Sequence, residues 1–286
     1  MRGSRISPLQ ELGLLITESW YVLLGETRNL IISLLFPVIA AVVTVWIAGE
    51  DMFVNCESTK SACFILVCAA IWGGLFNSIQ VIVKERPMVK REYVSGALRI
   101  GCFTASRAIL QLALCAIQSV LLCLSFAGVE LCYGNDLPRS GLIFGWTGLE
   151  YYITVFLVMY AADAMGLMIS CFVRSEQLAS QLSPYILIVQ LLFSGVLFPM
   201  EGASSAVSAL MLSRWGMEAL GSTSNLNHLP LELQKEFPMI PHEADDAFRF
   251  AESHLWTVWL ILLLFILVPL LVGNFALHRV RKDTRG

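Results

Sequence analysis

The chain has 286 residues, of which 57 % are apolar and only 14 % are charged, with a formal net charge of −3 and a mean hydropathy of +0.71. These values exclude an ordinary soluble globular domain and indicate an integral membrane protein. Its apolar runs are continuous and do not alternate with polar residues, which excludes a transmembrane barrel and predicts an all-α fold.

The first 29 residues come before any long apolar run and are predicted to form a cytoplasmic segment of their own. Large apolar residues recur there at steps of three and four, with acidic and hydroxyl residues such as Glu11 and Ser19 between them. This pattern predicts an amphipathic helix along the inner membrane interface, and it lacks the short apolar core of a cleavable signal peptide. The apolar positions are Leu9, Leu12, Ile16, Trp20, Leu23 and Leu24.

Residues 30–286 are predicted to form one transmembrane domain. A bilayer core of about 30 Å needs roughly 20 apolar residues per helix, and six runs meet that requirement. The long segment between the last two runs predicts an outer loop with short helices near 203–212 before span six. The predicted spans are 30–48, 61–83, 108–129, 151–173, 182–200 and 255–277.

Lys and Arg residues are distributed unequally between the two sides of these spans. Fourteen of the 19 basic residues fall on the side that holds both termini, and five fall on the other side. Because basic loops are retained in the cytoplasm, we predict a multi-pass protein of the plasma membrane with both termini cytoplasmic. The largest basic group lies between spans two and three and consists of Lys84, Arg86, Lys90, Arg91, Arg99 and Arg107.

This basic segment has two physical interpretations. A helix that restarts after Pro87 would turn Lys90 and Arg91 toward water and Val89 toward the bundle. A partner protein that docks on such a helix would move both neighbouring spans together. The alternative is a basic loop that only sets topology and attracts anionic lipid, and charge alone leaves both open.

Two further features also leave alternatives open. Six of the eight cysteines fall in or beside spans, where Cys is typically a packing residue, while Cys56 and Cys132 lie outside and are able to pair in an oxidising environment. Asp163 is the only ionisable residue well inside a span. It is interpreted either as a side chain paired to a hydroxyl or backbone group, or as a contact for a substrate or proton.

Motifs typical of enzymes are absent from the sequence. There is no GxxxxGK[ST] phosphate loop, no HExxH and no GxSxG. Asp163 also has no acidic partner inside the membrane of the kind that acid proteases need. We therefore predict a non-catalytic chain without a metal site.

The segment KERPMVKREYVSGALR resembles the cytoplasmic elbow in the membrane domains of G-subfamily ATP-binding-cassette transporters, the white and pleiotropic-drug-resistance type. The family pattern is a Glu-Arg or Glu-Lys pair, then Arg/His-Glu-Tyr/Arg, a small residue and Gly. Bacterial members that fuse a forkhead-associated module and an ATPase to this domain look especially similar. Other similar segments follow in family order: GETRNLIISLLFPVI, GLMISCFVRSEQLAS, LFSGVLFPM and SRWGMEALGSTSNLN.

The resemblance implies three sets of functional residues. An elbow that couples to an ATPase would consist of Glu85, Arg86, Lys90, Arg91, Glu92, Tyr93, Ser95 and Gly96. A substrate cavity would be lined by Trp72, Leu75, Phe76 and Asn77 of span two and by Ile188, Leu191, Leu192 and Phe193 of span five. An apolar gate would be formed by Val196 and Leu197.

The resemblance also implies partners. The nucleotide-binding domain of the family is not present in this sequence, so we expect a bacterial-type stand-alone subunit that binds no cofactor itself. ATP and Mg would be bound by a separate ATPase subunit, and a second permease copy or close paralogue would complete the path across the bilayer. No nucleic-acid partner is expected.

The resulting hypothesis is the membrane-spanning permease subunit of an ATP-driven exporter that moves an apolar or amphipathic substrate by alternating access. One alternative is a membrane scaffold or signalling subunit that uses the basic segment to recruit a cytoplasmic partner. A less favoured alternative is an intramembrane enzyme, because the sequence lacks a paired acid, base or metal set.

Overall fold

The computed structural model describes residues 7–49, 53–134, 141–198, 200–229 and 245–278. All regular structure in these ranges is helical, which confirms the predicted all-α class. The helices are α1 (Pro8–Gly25), α2 (Thr27–Ala48), α3 (Cys56–Ser78), α4 (Val81–Val94), α5 (Ile100–Tyr133), α6 (Thr147–Phe172), α7 (Glu176–Leu192), α8 (Ala203–Ser208), α9 (Leu212–Thr223) and α10 (Glu252–His278), with a 3-10 turn at Asp246–Phe248.

Five helical segments in the described ranges are long and apolar enough to cross a membrane. They are α2, the continuous pair α3 and α4, α5, α6 and α10. They correspond to predicted spans one to four and six. The protein is therefore a multi-pass membrane protein.

The predicted fifth span is not confirmed as a membrane-crossing helix. α7 starts at Glu176, before the expected 182–200, and it ends at Leu192 after only 17 residues. Gly195 has a φ of +80°, a left-handed conformation that ends helical structure and favours glycine. The chain therefore turns directly after α7. Pro199, near the end of the predicted span, lies outside the described residues.

α1 occupies the segment predicted as an interfacial helix, and part of the predicted apolar stripe packs against the bundle, since Leu12, Ile16 and Leu23 are half-buried. Leu15 and Ser19 are its buried residues. Ser19 was expected on the polar side of the helix, and it is buried because it contacts a charged side chain of α5. Three members of the predicted stripe are exposed on the surface of this chain: Leu9, Trp20 and Leu24.

α3 and α4 form one helical rod that is interrupted at Ile79 and Gln80. Ser170 of α6 accepts hydrogen bonds from the backbone N–H groups of Ile82 and Val83, at 3.0 and 2.9 Å. Because the first amides of a helix have no partner in their own helix, this hydroxyl stabilises the start of α4. α4 then continues through Pro87, so the helix does not restart after that residue as predicted.

The close contact of α3 with α6 forms the centre of the bundle. A Cβ atom added to Gly74 would lie 2.0 Å from the carbonyl oxygen of Met159. One added to Gly166 would lie 2.1 Å from Oγ of Ser78. Small residues at such positions let two helix backbones approach, which is the usual way that helices pack inside a membrane.

The segment after α7 packs back onto the bundle. α8 and the start of α9 lie where short helices were expected at 203–212. Ten of the twelve residues of α9 are buried, and the helix lies against α3, α6 and α10. Residues 230–244 of the predicted outer loop lie outside the described ranges.

Candidate functional site

The last turn of α4 and the residues that follow it form an exposed tip, defined here as Lys90–Gly96. Lys90, Arg91 and Ser95 are exposed, whereas Glu92 and Tyr93 are half-buried. The carbonyl of Glu92 accepts hydrogen bonds from the N–H groups of residues 97 and 98, at 3.0 and 3.3 Å. Gly96 has a φ of +75°, which lets the chain reverse into α5. The tip is thus a compact turn that exposes the cationic side chains of Lys90 and Arg91.

Glu85 of the predicted coupling set faces the bundle instead of the exposed tip. Nε of Arg107 on α5 donates to Oε2 of Glu85 at 2.7 Å, and the Arg107 side chain is only 3 % exposed. Arg107 also donates through Nη1 to the hydroxyl of Ser19 on α1. The carboxylate of Glu85 therefore joins α4 to α5, and Arg107 joins both to α1.

Two more arginines of this region are anchored in the same way. Nη1 of Arg86 donates to the carbonyl oxygen of Val173, just after α6, at 2.5 Å. The backbone N–H of Arg99 donates to Oε1 of Glu11 on α1 at 2.7 Å, and its guanidinium lies 3.5 Å from the same carboxylate. The basic cluster that appears uniform in the sequence is thus divided into an exposed tip and an anchored base.

The predicted cavity residues of α3 do not share one environment. The rings of Trp72 and Phe76 are exposed and stack with their centroids 5.9 Å apart. Leu75 is fully buried in the core. Asn77 is half-buried and belongs to a polar cluster. Only the two aromatic rings therefore present an apolar face to the outside of this chain.

The polar cluster around Asn77 was not found from the sequence. Nδ2 of Asn77 donates to Oε1 of Gln118 at 2.6 Å, and its Oδ1 accepts from the hydroxyl of Ser33 at 3.1 Å. Nε2 of Gln111 donates to the backbone carbonyl of Asn77 at 3.0 Å. The sequence signal was the pair Gln111 and Gln118, two turns apart on one face of an otherwise apolar span. This cluster joins α2, α3 and α5.

The predicted cavity and gate residues of α7 lie on its open side. Ile188 and Leu192 are 51 % and 42 % exposed, and Leu191 and Phe193 are half-buried. In the turn after α7, Val196 is half-buried and Leu197 is exposed. None of these six residues lines the cavity that contains Asn77.

Two cavities lie beside the predicted residues. The inner cavity, named for the side predicted to be cytoplasmic, lies between α1, α2, α3, α4 and α5, has a volume of about 490 Å³ and includes Phe76 and Asn77. The outer cavity has a volume of about 450 Å³ and includes Val196. The outer cavity also holds an ion pair, in which Nε of Arg214 donates to Oε1 of Glu218 at 2.9 Å. Burial raises the pKa of Glu218, although Arg214 opposes that shift.

Asp163 lies at the contact of α3 with α6 and is fully buried. The hydroxyl of Ser78 donates to the backbone carbonyl of Asp163 at 2.7 Å. Neither carboxyl oxygen of Asp163 has a hydrogen-bond partner among the described residues. The predicted contact with a hydroxyl therefore exists, but it is made by the backbone of Asp163.

All eight cysteines are free thiols in the single chain, so Cys56 and Cys132 do not pair with each other within it. The thiol of Cys56 instead lies 3.8 Å from the carbonyl of Leu226. Over the described ranges, no group of three His, Cys, Asp or Glu residues is placed to hold a metal ion.

Comparison with known proteins adds two findings. The family described as ABC-2 type transporter matches residues 10–223 of this chain. An ABC transporter ATP-binding/permease protein of Mycobacterium tuberculosis is 24 % identical over 165 residues, which are 57 % of this chain and 18 % of that protein. The chain thus matches less than a fifth of the length of this relative.

Proposed function

The chain belongs to the ABC-2 type transporter family, and on that premise we propose that it is the permease subunit of an ATP-driven exporter that moves an apolar or amphipathic substrate by alternating access. The matched segment includes α1 to α9 almost completely. It corresponds to the membrane-spanning part of an ABC transporter. ATP and Mg would be bound and hydrolysed by a separate ATPase subunit.

The observation that carries the proposal is the division of the basic segment into an exposed tip and an anchored base. Lys90 and Arg91 are free to contact an ATPase, while Glu85 is fixed to Arg107 at 2.7 Å. A displacement of the tip is therefore passed to α5 through that ion pair, to α1 through Ser19 and to the end of α6 through Arg86. A loop that only attracts lipid has no need for such internal connections.

A second copy of the chain would complete the path. The exposed rings of Trp72 and Phe76 and the exposed side of α7 at Ile188 and Leu192 are apolar surfaces that this chain leaves open. In a two-fold pair, facing copies of these surfaces would enclose a cavity between subunits. That cavity suits an apolar or amphipathic substrate, since it offers aromatic and aliphatic contacts.

The gate would be formed by Val196 and Leu197 directly after α7. The N–H of Val196 donates to the hydroxyl of Ser194 at 3.3 Å, which shapes the turn that presents both side chains. Two such turns from facing subunits would close the path with apolar side chains. We place the tip on the cytoplasmic side, with both termini, in the plasma membrane, because this arrangement agrees with the distribution of basic residues.

The decisive experiment reverses one charge of the tip. In vesicles that contain the complete transporter, Arg91→Glu should lower ATP-dependent flux about tenfold, which corresponds to the loss of ~1.4 kcal/mol of docking free energy. Arg91→Lys retains the charge and serves as the matched control. Normal flux in the Arg91→Glu protein would remove the coupling role of the tip.

Two further measurements separate the exporter from the alternatives. Affinity purification in mild detergent should recover an ATPase subunit and a second copy of this chain. ATP should then stimulate flux of an amphipathic fluorescent compound, and Val196→Ala combined with Leu197→Ala should increase passive leakage of that compound. Recovery of the ATPase without any ATP-stimulated flux would favour a membrane scaffold instead.

A further inference from the structure

The loop that carries the proposed gate, residues 194–198, is bonded at its start to α8. Ser208, the last residue of α8, is buried, and its hydroxyl donates to the carbonyl oxygen of Phe193 at 2.8 Å. Because Phe193 directly precedes the loop, this hydrogen bond brings the end of α8 back to the end of α7. The position of the loop, with Val196 and Leu197, therefore depends on where α8 lies.

α8 needs support from another element. It has only six residues, of which Ser208 is buried and the other five are at least partly exposed. A helix of this length is not stable by itself. Two side chains of α9 supply the support. Nη1 of Arg214 donates to the carbonyl oxygen of Ser205 at 3.2 Å, and Nε1 of Trp215 donates to the carbonyl oxygen of Ala209, directly after α8, at 2.9 Å.

Arg214 is oriented by Glu218, one turn further along α9. Nε of Arg214 donates to Oε1 of Glu218 at 2.9 Å, and the carboxylate is buried whereas the guanidinium is half-buried. One guanidinium therefore contacts Glu218 and the backbone of α8 at the same time, through donors whose relative directions are fixed by its planar geometry. The ammonium of a lysine carries no such pair of fixed donors.

The outer cavity shows that this connection and the gate share one space. Val196, Ser205, Ser208, Arg214 and Glu218 are all among the residues that line its volume of about 450 Å³. A close-packed region resists displacement, whereas an open volume leaves room for it. The loop is therefore held by specific polar contacts rather than by dense packing on its cavity side.

We propose that Arg214 is the positioning residue of the gate: it holds α8 against α9 and, through Ser208 and Phe193, fixes the loop that presents Val196 and Leu197. Arg214 acts through α8. This role deepens the proposed function and rests on it for the identity of the gate. The connection between Arg214 and the loop lies within a single chain, so it is measurable without transport.

The test is the rate of thiol labelling at a Val196→Cys reporter, measured peptide by peptide with mass spectrometry in the full chain in detergent. Val196 is half-buried, so release of the loop should speed its labelling. Arg214→Gln should raise the rate about tenfold, equivalent to ~1.4 kcal/mol. Arg214→Lys should label nearly as fast, because charge alone does not replace the fixed donors. Arg249→Gln, which breaks an exposed ion pair with Asp246, is the matched control and should leave the rate unchanged.

Two comparisons separate positioning of the loop from a general loosening of the chain. Ser208→Ala should also speed labelling at residue 196, and combining it with Arg214→Gln should add little, since both changes break the same connection. A Ser183→Cys reporter on the buried stripe of α7 should label at its usual rate in the Arg214→Gln protein. Ser208→Ala removes a single oxygen atom and should fold even if Arg214→Gln does not.

Three results would overturn the role of Arg214: unchanged labelling at residue 196 in the Arg214→Gln and Ser208→Ala proteins, a wild-type rate in Arg214→Lys, or equal acceleration at residue 183. Passive leakage from vesicles then tests the gate separately. Arg214→Gln should raise leakage as the alanine changes at Val196 and Leu197 do. Faster labelling without leakage would support the positioning of the loop by Arg214 and reject these two residues as the gate.

Discussion

α6 and α7 follow each other in the chain, yet they have opposite relations to the rest of the bundle. In the most apolar part of α6, 72 % of the residues are buried, because other helices surround it. α7 buries only one stripe, which consists of Ala179, Ser183, Leu187 and Gln190. Its other faces expose large apolar side chains such as Tyr185 and Ile188. The exposed apolar faces of such a helix must be covered by lipid or by another chain.

The α3–α6 pair is the rigid part of the molecule, whereas α7 is open to a partner. α3 and α6 touch through Gly74, which faces the backbone of Met159, and through Gly166, which faces the hydroxyl of Ser78 and the backbone of Leu75, so neither helix has room to slide. α7 is bonded to α9 through the side chain and carbonyl of Gln190, which both contact Ser213, and its Ser180 accepts a hydrogen bond from Gln80, so few polar contacts hold it. Movement during transport is therefore expected in α7 rather than in the α3–α6 pair.

The largest effect is expected from Gly74→Ala, which breaks the close contact of α3 with α6. Its Cβ would lie 2.0 Å from the carbonyl oxygen of Met159, and a backbone atom has no freedom to move aside. We expect the free energy of unfolding to fall by at least about 3 kcal/mol, with loss of monodisperse protein. The measurement is size-exclusion chromatography and thermal unfolding in detergent.

The control for this variant is Gly128→Ala on α5, where an added Cβ has no neighbour within 4 Å. It should leave stability unchanged or raise it by about 0.5–1 kcal/mol, since alanine favours a helix over glycine. Equal behaviour of the two alanine variants would show that α3 and α6 are not in close contact.

A smaller loss is expected from Gln190→Leu, which releases α7. The backbone N–H of Ser213 donates to Oε1 of Gln190 at 3.1 Å in a buried site. Without that acceptor the buried N–H has no partner, which costs about 1–3 kcal/mol. The melting temperature should fall, and thiol labelling of a Ser183→Cys reporter on the buried stripe should become faster. Val189→Leu on the exposed side is the control and should change neither quantity.

Self-association should be sensitive to the open face of α7. Ile188→Ala removes apolar contact at a position that is 51 % exposed in one chain, so the melting of the single chain should not change. Contacts across a two-fold interface would be lost, and association should weaken about fivefold, or ~1 kcal/mol. Energy transfer between labelled chains in liposomes measures this. Leu264→Ala on α10, at 57 % exposure, is the matched control, and an equal effect there would remove α7 from the interface.

The smallest effect concerns pH and α9, the helix that anchors α7. Burial raises the pKa of Glu218 above its unfolded value, so the folded state binds the proton more tightly. The contribution of Glu218 to stability is therefore greatest below the unfolded pKa and is lost as pH rises through the folded one. The melting temperature should decline slightly as pH rises from the unfolded to the folded pKa of Glu218. Glu218→Gln should remove this decline. An identical pH profile in both proteins would contradict it.

The all-α class of the protein and most of its long helices were predicted correctly from the sequence. Five of the six predicted spans coincide with long apolar helices, because about 20 uncharged residues in lipid have no alternative to helical hydrogen bonding. The range 182–200 is not confirmed as a span, because hydropathy does not detect the left-handed turn at Gly195. A run of apolar residues stays apolar on both sides of such a turn.

The candidate site was predictable only in part, and the reason is visible in the basic segment. Charge and resemblance brought Glu85 and Arg91 into one set, but the structure ties the first to Arg107 and leaves the second exposed. Partners such as Ser19 and Arg107 are distant in the sequence and meet only through packing. The hydrogen bond between Asn77 and Gln118 was not predicted, for the same reason.

The sequence by itself determined that this chain is a helical membrane protein, because hydropathy and helix length depend only on local composition and on the thickness of the bilayer. Only the tertiary structure decided which charges are anchored and which are free, where α7 ends and what encloses the inner cavity. Those properties arise from contacts between helices that lie far apart in the chain, and neither composition nor periodicity records the distance between them.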